Sequence, residues 1–131
     1  MISPFQALLE GKDREFVILE TAEFIAVLEK KPLVLGHTIL ISKNFQDDLF
    51  GLSEQDLSAL MPFAQKISHS IRNSVVCKKV GVAVIGLETT HAHLHLVPIN
   101  SADDLNFTRA KLSPSPLELE NMLIKIKTNL S

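Results

Sequence analysis

The chain has 131 residues, 46% of them hydrophobic and 21% charged, and a formal net charge of −2. That length suits a single domain able to bury its own core, and a slightly acidic balance with no basic cluster leaves a nucleic-acid groove without electrostatic support. No segment approaches the roughly 18 uninterrupted apolar residues of a membrane span, and Glu10 interrupts the N-terminus before a secretory core could develop. A soluble protein with neither a membrane nor a nucleic-acid polymer as partner is therefore expected. The single cysteine, Cys77, excludes an internal disulfide and any CxxC motif, which fits a reducing cytoplasm.

Ser3-Pro4-Phe5-Gln6 offers a helix cap followed by proline at the first helical position, so a short helix to about Glu10, ended by Gly11, is predicted. The β-branched and aromatic runs REFVILE (14–20) and EFIAVLEK (23–30) form a hairpin about Thr21-Ala22. After Pro32, GHTILISK (36–43) makes a third strand, with His37, Ile39 and Ile41 on one face and Thr38, Leu40 and Ser42 on the other. Ser53 caps a long amphipathic helix over 54–74, read from the helical spacing of Leu57, Leu60, Met61, Ala64, Ile67, Ile71 and Val75. Pro62 argues for a later start or a kink. Two further strands, KKVGVAVI (78–85) and HAHLHLVPI (91–99), flank Gly86-Leu87-Glu88-Thr89-Thr90. The box Ser115-Pro116-Leu117-Glu118 opens a last helix to about Thr128. The order α-β-β-β-α-β-β-α points to an α+β domain, an antiparallel sheet covered by helices, with no repeat or linker.

Three of the five histidines stand at alternate positions, His91, His93 and His95. On a strand they share one face while Ala92, Leu94 and Leu96 face the core, so an exposed histidine row is predicted. At about 3.3 Å per residue the outer Cα atoms lie about 13 Å apart, too far for one tetrahedral metal to gather all three rings, although an i, i+2 pair could chelate. Near neutral pH histidine offers both a neutral nucleophilic nitrogen and a cationic donor, and adjacent rings can divide those jobs, a combination that phosphate chemistry uses: one ring attacks phosphorus while others hold its oxygens. A solvated row, a metal pair and a catalytic row with His93 as nucleophile are the three readings, and the density of histidines favours the last.

With its neighbours, this segment resembles the signature of the histidine triad (HIT) family, His-x-His-x-His followed by two hydrophobic residues, here His91 to Val97. The upstream segment Pro32 to Lys43, with Gly36-His37 entering a hydrophobic strand, is similar to the family's second motif. The resemblance spans about residues 3–99, with a less diagnostic tail at about 115–129. It implies a five-stranded antiparallel sheet with a long helix and shorter terminal helices, a homodimer, and hydrolysis or transfer of a nucleoside monophosphate group with no cofactor. Carried over residue by residue, His93 is the nucleophile forming a nucleotidyl-histidine, His91 and His95 orient it and bind phosphate oxygens, and His37 sits beside them. Glu29 stands where relatives hold the ribose hydroxyls. Phe5, Leu8, Val27 and Ile39 would line the nucleobase pocket. Phosphoramidates and dinucleoside polyphosphates are the implied substrates.

Departures from the family pattern matter as much. Relatives that hold a structural zinc use N-terminal cysteines and a histidine after the third strand, whereas this chain has Phe45 there and no cysteine before Cys77, so no metal site is expected. The loop before the triad reads Gly86-Leu87-Glu88 in place of Gly-Gln-Ser, and Glu88 near a phosphate would repel it. Thr89 is the candidate for handling the leaving group, provided the strand extends back that far. The alternatives are a catalytically weak nucleotide-binding regulatory module and a divalent-metal binding protein. His69 and Cys77 are expected to be a solvated surface residue and an inert thiol, and Lys78-Lys79 a solvated strand edge.

Overall fold

A computed structural model describes residue 3 and residues 5–130 of the chain. The five runs of alternating or β-branched residues become β1 (Val17–Glu20), β2 (Phe24–Leu28), β3 (Thr38–Ser42), β4 (Lys79–Ala83) and β5 (His93–Ile99). They form one antiparallel sheet in the order β1-β2-β3-β5-β4. Side chains one residue apart on a strand go to opposite faces, and the sequence uses this to divide the sheet. Phe24, Ala26 and Leu28 of β2, Leu40 of β3, and Leu94 and Leu96 of β5 all enter the main core. Their neighbours Ile25, Val27, Ile39 and Ile41 pack on the other face with Phe5, Leu8 and Leu9.

Two helices close the core face, α2 (Glu54–Ser74) and α3 (Pro116–Thr128). Leu60, Phe63, Ala64, Ile67 and Ile71 of α2 and Leu119, Met122, Leu123 and Ile126 of α3 bury themselves there. The serine caps act as predicted. Ser53 Oγ accepts from the Asp56 amide at 3.1 Å, and Ser115 and Glu118 form the reciprocal box at 3.1 and 3.0 Å. As the serine cap predicts, α2 begins at Glu54, and Pro62 does not delay that start, because the helix runs through it. The carbonyl that loses its partner belongs to Ser58, and both residues lie on the solvent face, where water can take the hydrogen bond. Among the described residues no helix is long and apolar enough to cross a membrane.

The N-terminal prediction needs correction. The first helix, α1, covers only Gln6–Leu9, with Phe5 rather than Ser3 at its N-cap and no side-chain cap; Pro4, the expected first helical residue, lies outside the described residues. Ser3 has another use. Its Oγ accepts from the Phe5 amide at 3.1 Å and bonds a histidine ring 88 positions away.

Candidate active site

The register of β3 and β5 sets the site. Ile41 lies opposite His93 and Ile39 opposite His95, so both histidines project from the face that faces away from the main core, as the alternation predicts. The strand starts at His93, so His91 and Ala92 belong to the preceding loop. His37 enters from the turn before β3. Gly36, at φ +106°, makes that turn possible, and a Cβ there would press on Val75 at 3.1 Å and Pro98 at 3.3 Å. Glu29 follows β2 and its amide donates to the His37 carbonyl at 2.9 Å, which brings this carboxylate-bearing residue beside the histidines.

The row is not exposed, and this is the main departure from the sequence reading. His91, His37 and His93 retain 0%, 2% and 6% of their accessible surface, and His95 is half-buried. Aromatic rings distant in sequence cover them. Phe5 meets His91 and His93 edge-on with centroids 5.5 Å away, Phe45 meets His91 at 5.2 Å, and Phe107 meets His95 at 4.8 Å. The rings also touch one another, His93 to His95 at 4.9 Å and His37 to His95 at 5.1 Å.

Hydrogen-bond partners fix the tautomers of the neutral rings. The Leu33 amide donates to His37 Nδ1 at 3.1 Å, so the His37 proton sits on Nε2 and is donated to His95 Nδ1 at 2.9 Å. His95 therefore carries its own proton on Nε2. His91 Nε2 donates to the Ser42 carbonyl at 2.7 Å, and its Nδ1 accepts from the Ser3 hydroxyl at 2.5 Å. His93 Nδ1 donates to the His91 carbonyl at 2.6 Å, which leaves the Nε2 lone pair without a partner among the described residues. One ring thus offers a nucleophilic nitrogen and its neighbour an N–H donor. Both nitrogens of His91 are occupied, so it acts on His93 through its backbone carbonyl.

Burial keeps His37 and His95 neutral, so the donor beside His93 is a neutral N–H rather than the expected cation. Desolvation, then the nearby His95 and Lys111, push His37 down to about 3, and desolvation with His93 and Lys111 takes His95 down to about 4. His93 is also lowered by desolvation, partly offset by its bond to the His91 carbonyl and by the negative charge of Glu29.

The other predicted residues sort clearly. Phe5, Leu8, Val27 and Ile39 share one apolar cluster on the histidine face, with Leu8 buried and the others half-buried. Glu29 is half-buried, and its carboxylate accepts from the Lys31 amide at 3.0 Å. Thr89 fails its condition: β5 does not reach back to it, and it lies in the loop between β4 and β5. Glu88 is exposed in the same loop. A cavity of about 230 Å³ adjoins His93, lined also by Asp47, Asp48, Leu49, Ile85 and Gly86. The sequence reading missed Ser3, Phe107 and the two aspartates, because nothing in local spacing ties them to the triad. His69 stays on the surface, in a groove with Lys66 and Arg72 on the helical side. Among the described residues no three His, Cys, Asp or Glu side chains are grouped so as to hold a metal ion.

Comparison with known proteins decides the family. The HIT domain model matches residues 10–102, well over half of the chain. The chain belongs to the HIT domain family. Among its relatives, an uncharacterized HIT-like protein of Saccharolobus solfataricus is 26% identical over 106 residues, covering 76% of this chain and 75% of the relative. An adenosine 5'-monophosphoramidase of Saccharomyces cerevisiae is 25% identical over 96 residues, 72% of this chain and 60% of the yeast protein. A zinc-bound histidine triad family protein from Mycobacterium smegmatis superposes with a TM-score of 0.81 at 23% identity, over 98% of this chain and 92% of its own. HIT membership supports a nucleotide-binding hydrolase or transferase in general terms, and the five-stranded sheet with helices is the HIT fold.

Proposed function

We propose that the chain is a nucleotidyl hydrolase or transferase that works through a nucleotidyl-His93 intermediate. The observation that carries this reading is the pairing of an unpartnered His93 Nε2 lone pair with a His95 Nε2–H, both held by fixed partners. In this scheme the ribose hydroxyls bind Glu29, and the base lies against Phe5, Leu8, Val27 and Ile39. His93 attacks the α-phosphorus while the His95 N–H holds a phosphoryl oxygen. His37 keeps the His95 tautomer, and His91 aims His93 through its carbonyl. Adenosine phosphoramidate is the first substrate to test, since the yeast relative is an adenosine 5'-monophosphoramidase.

His93→Ala is expected to lower release of nucleoside monophosphate by about 10³-fold or more while far-ultraviolet circular dichroism stays unchanged, the scale set by loss of a nucleophile. Unchanged turnover in that variant would end the reading. A homodimer is part of the same proposal: β4 is an edge strand, and its exposed Val82 continues into exposed Val84 and Ile85, apolar surface suited to a second copy. Sedimentation equilibrium should return twice the chain mass, and a monomer at tens of micromolar would remove that part.

A further inference from the structure

We propose that Asp47 and Asp48 line the leaving-group subsite and select a leaving group that carries positive charge, an amine bearing a further ammonium or guanidinium, over a polyphosphate. The inference rests on the nucleotidyl-transfer reading above and deepens it. Position comes first. Glu29 and His37 lie at the end of the sheet where Leu28 faces Thr38, whereas Ile41 and His93 pair toward the other end, where β5 begins. The cavity of about 230 Å³ opens at that second end, between Asp47-Asp48 and Ile85-Gly86. A nucleotide whose ribose reaches Glu29 and whose phosphorus faces His93 therefore directs its leaving group into this cavity.

The lining sets the charge. No Lys or Arg lines the cavity. Neither aspartate has an ion-pair partner among the described residues, and the Asp48 carboxylate accepts only from the Phe50 amide, at 3.3 Å. An independent sign that the cavity receives a ligand is His93 itself, 6% exposed, lining it, with Nε2 unpartnered. A polyphosphate would bring further negative charge against two uncompensated carboxylates, which like-charge repulsion disfavours. An ammonium is attracted by the same field. The step balances for an amine: the His93 Nε2 pair forms a bond to phosphorus, and the P–N bond breaks with its pair going to nitrogen. That nitrogen takes one proton from water, leaving hydroxide, and departs as the amine. A second water then adds its hydroxyl to phosphorus, its released proton neutralises that hydroxide, and the N–P pair returns to Nε2.

The test compares kcat/KM for adenosine 5'-phosphoramidates of lysine (through its α-amine) and of Nε-acetyllysine, and for a diadenosine polyphosphate, in the full chain and in Asp47→Asn, Asp48→Asn and the double variant. The intact protein should prefer the cationic amine over its acetylated isostere by roughly fivefold per carboxylate at low salt, the size of a charge interaction near water. The preference should shrink at high salt and vanish in the double variant. Asn retains the side-chain oxygen that caps Phe50, so the variants should fold, which thermal melts will check. Equal rates for the two amides in the intact protein, or a ratio that the double variant keeps, would overturn the subsite while leaving nucleotidyl transfer standing. A polyphosphate that becomes the better substrate when Mg²⁺ is added would also overturn it, because the carboxylates would then hold a metal. No His93-dependent turnover of any of the three would defeat the underlying reading and this inference together.

Discussion

The orientation of the His93 ring is set by three hydrogen bonds that the sequence pattern does not display. Its Nδ1 proton goes to a carbonyl two residues back, and that carbonyl belongs to a residue pinned on both ring nitrogens, by Ser3 and by Ser42. Rotating the His93 ring would strand a buried N–H, at a cost of about 1–3 kcal/mol, so the free lone pair stays on Nε2. Desolvation then lowers the His93 pKa, which keeps that lone pair unprotonated below the ordinary histidine range. The acid limb of kcat/KM, which reports the free enzyme, should accordingly fall at a pH below 6.5, the ordinary value. A limb centred at or above that value would mean that the resting ring is solvated or bound to a carboxylate.

At the scale of elements, alternation and caps made most of the fold legible. The faces of β3 and β5 and the ends of α2 and α3 all follow from side-chain periodicity and local hydrogen bonding, whereas Gly36-His37, expected to open the third strand, instead form the turn before it. What stayed hidden was set by contacts across the chain. Ser3 looks like a helix cap until His91 arrives from 88 residues away, and the histidine row looks exposed until Phe5, Phe45 and Phe107 fold over it. Pro62 shows the same limit in reverse, since a local rule argued against a helix that buries a whole apolar face. Packing won, yet the lost bond remains, and it should be recoverable. Pro62→Ala restores the amide donor to Ser58 and should stabilise the protein by about 2 kcal/mol, the helix-interior penalty less the proline's restriction of the unfolded chain. Urea unfolding should show a higher midpoint with an unchanged slope. A lower midpoint would mean that the ring's packing in the groove it lines outweighs the missing bond.

For the whole molecule, a site made of buried neutral imidazoles ties folding to pH. His37 and His95 titrate at about 3 and 4 when folded, against 6.5 for the ordinary group. Above pH 6.5 both states leave these rings neutral and stability is at its full value. As pH falls through 6.5 the unfolded chain takes up protons that the folded protein refuses, so stability drops by up to about 1.4 kcal/mol per pH unit for each ring, until the folded values are reached. Carboxylates add their own loss at lower pH: the Glu20 carboxyl, held below 4.5 first by Lys43 and then by Arg14, loses its pairing only when it protonates. The interval from pH 6.5 down to about 5 therefore belongs to the histidines. Stability over that interval is best followed by circular dichroism, since the chain has no Trp or Tyr to report by fluorescence. His37→Asn, which keeps an acceptor for the Leu33 amide, should be the less stable protein at pH 7.5 but should lose stability more slowly with acid, by about one ring's share of the slope. A variant that matched the parent's slope between pH 6.5 and 5 would show that the buried His37 ring is not what couples this fold to protons.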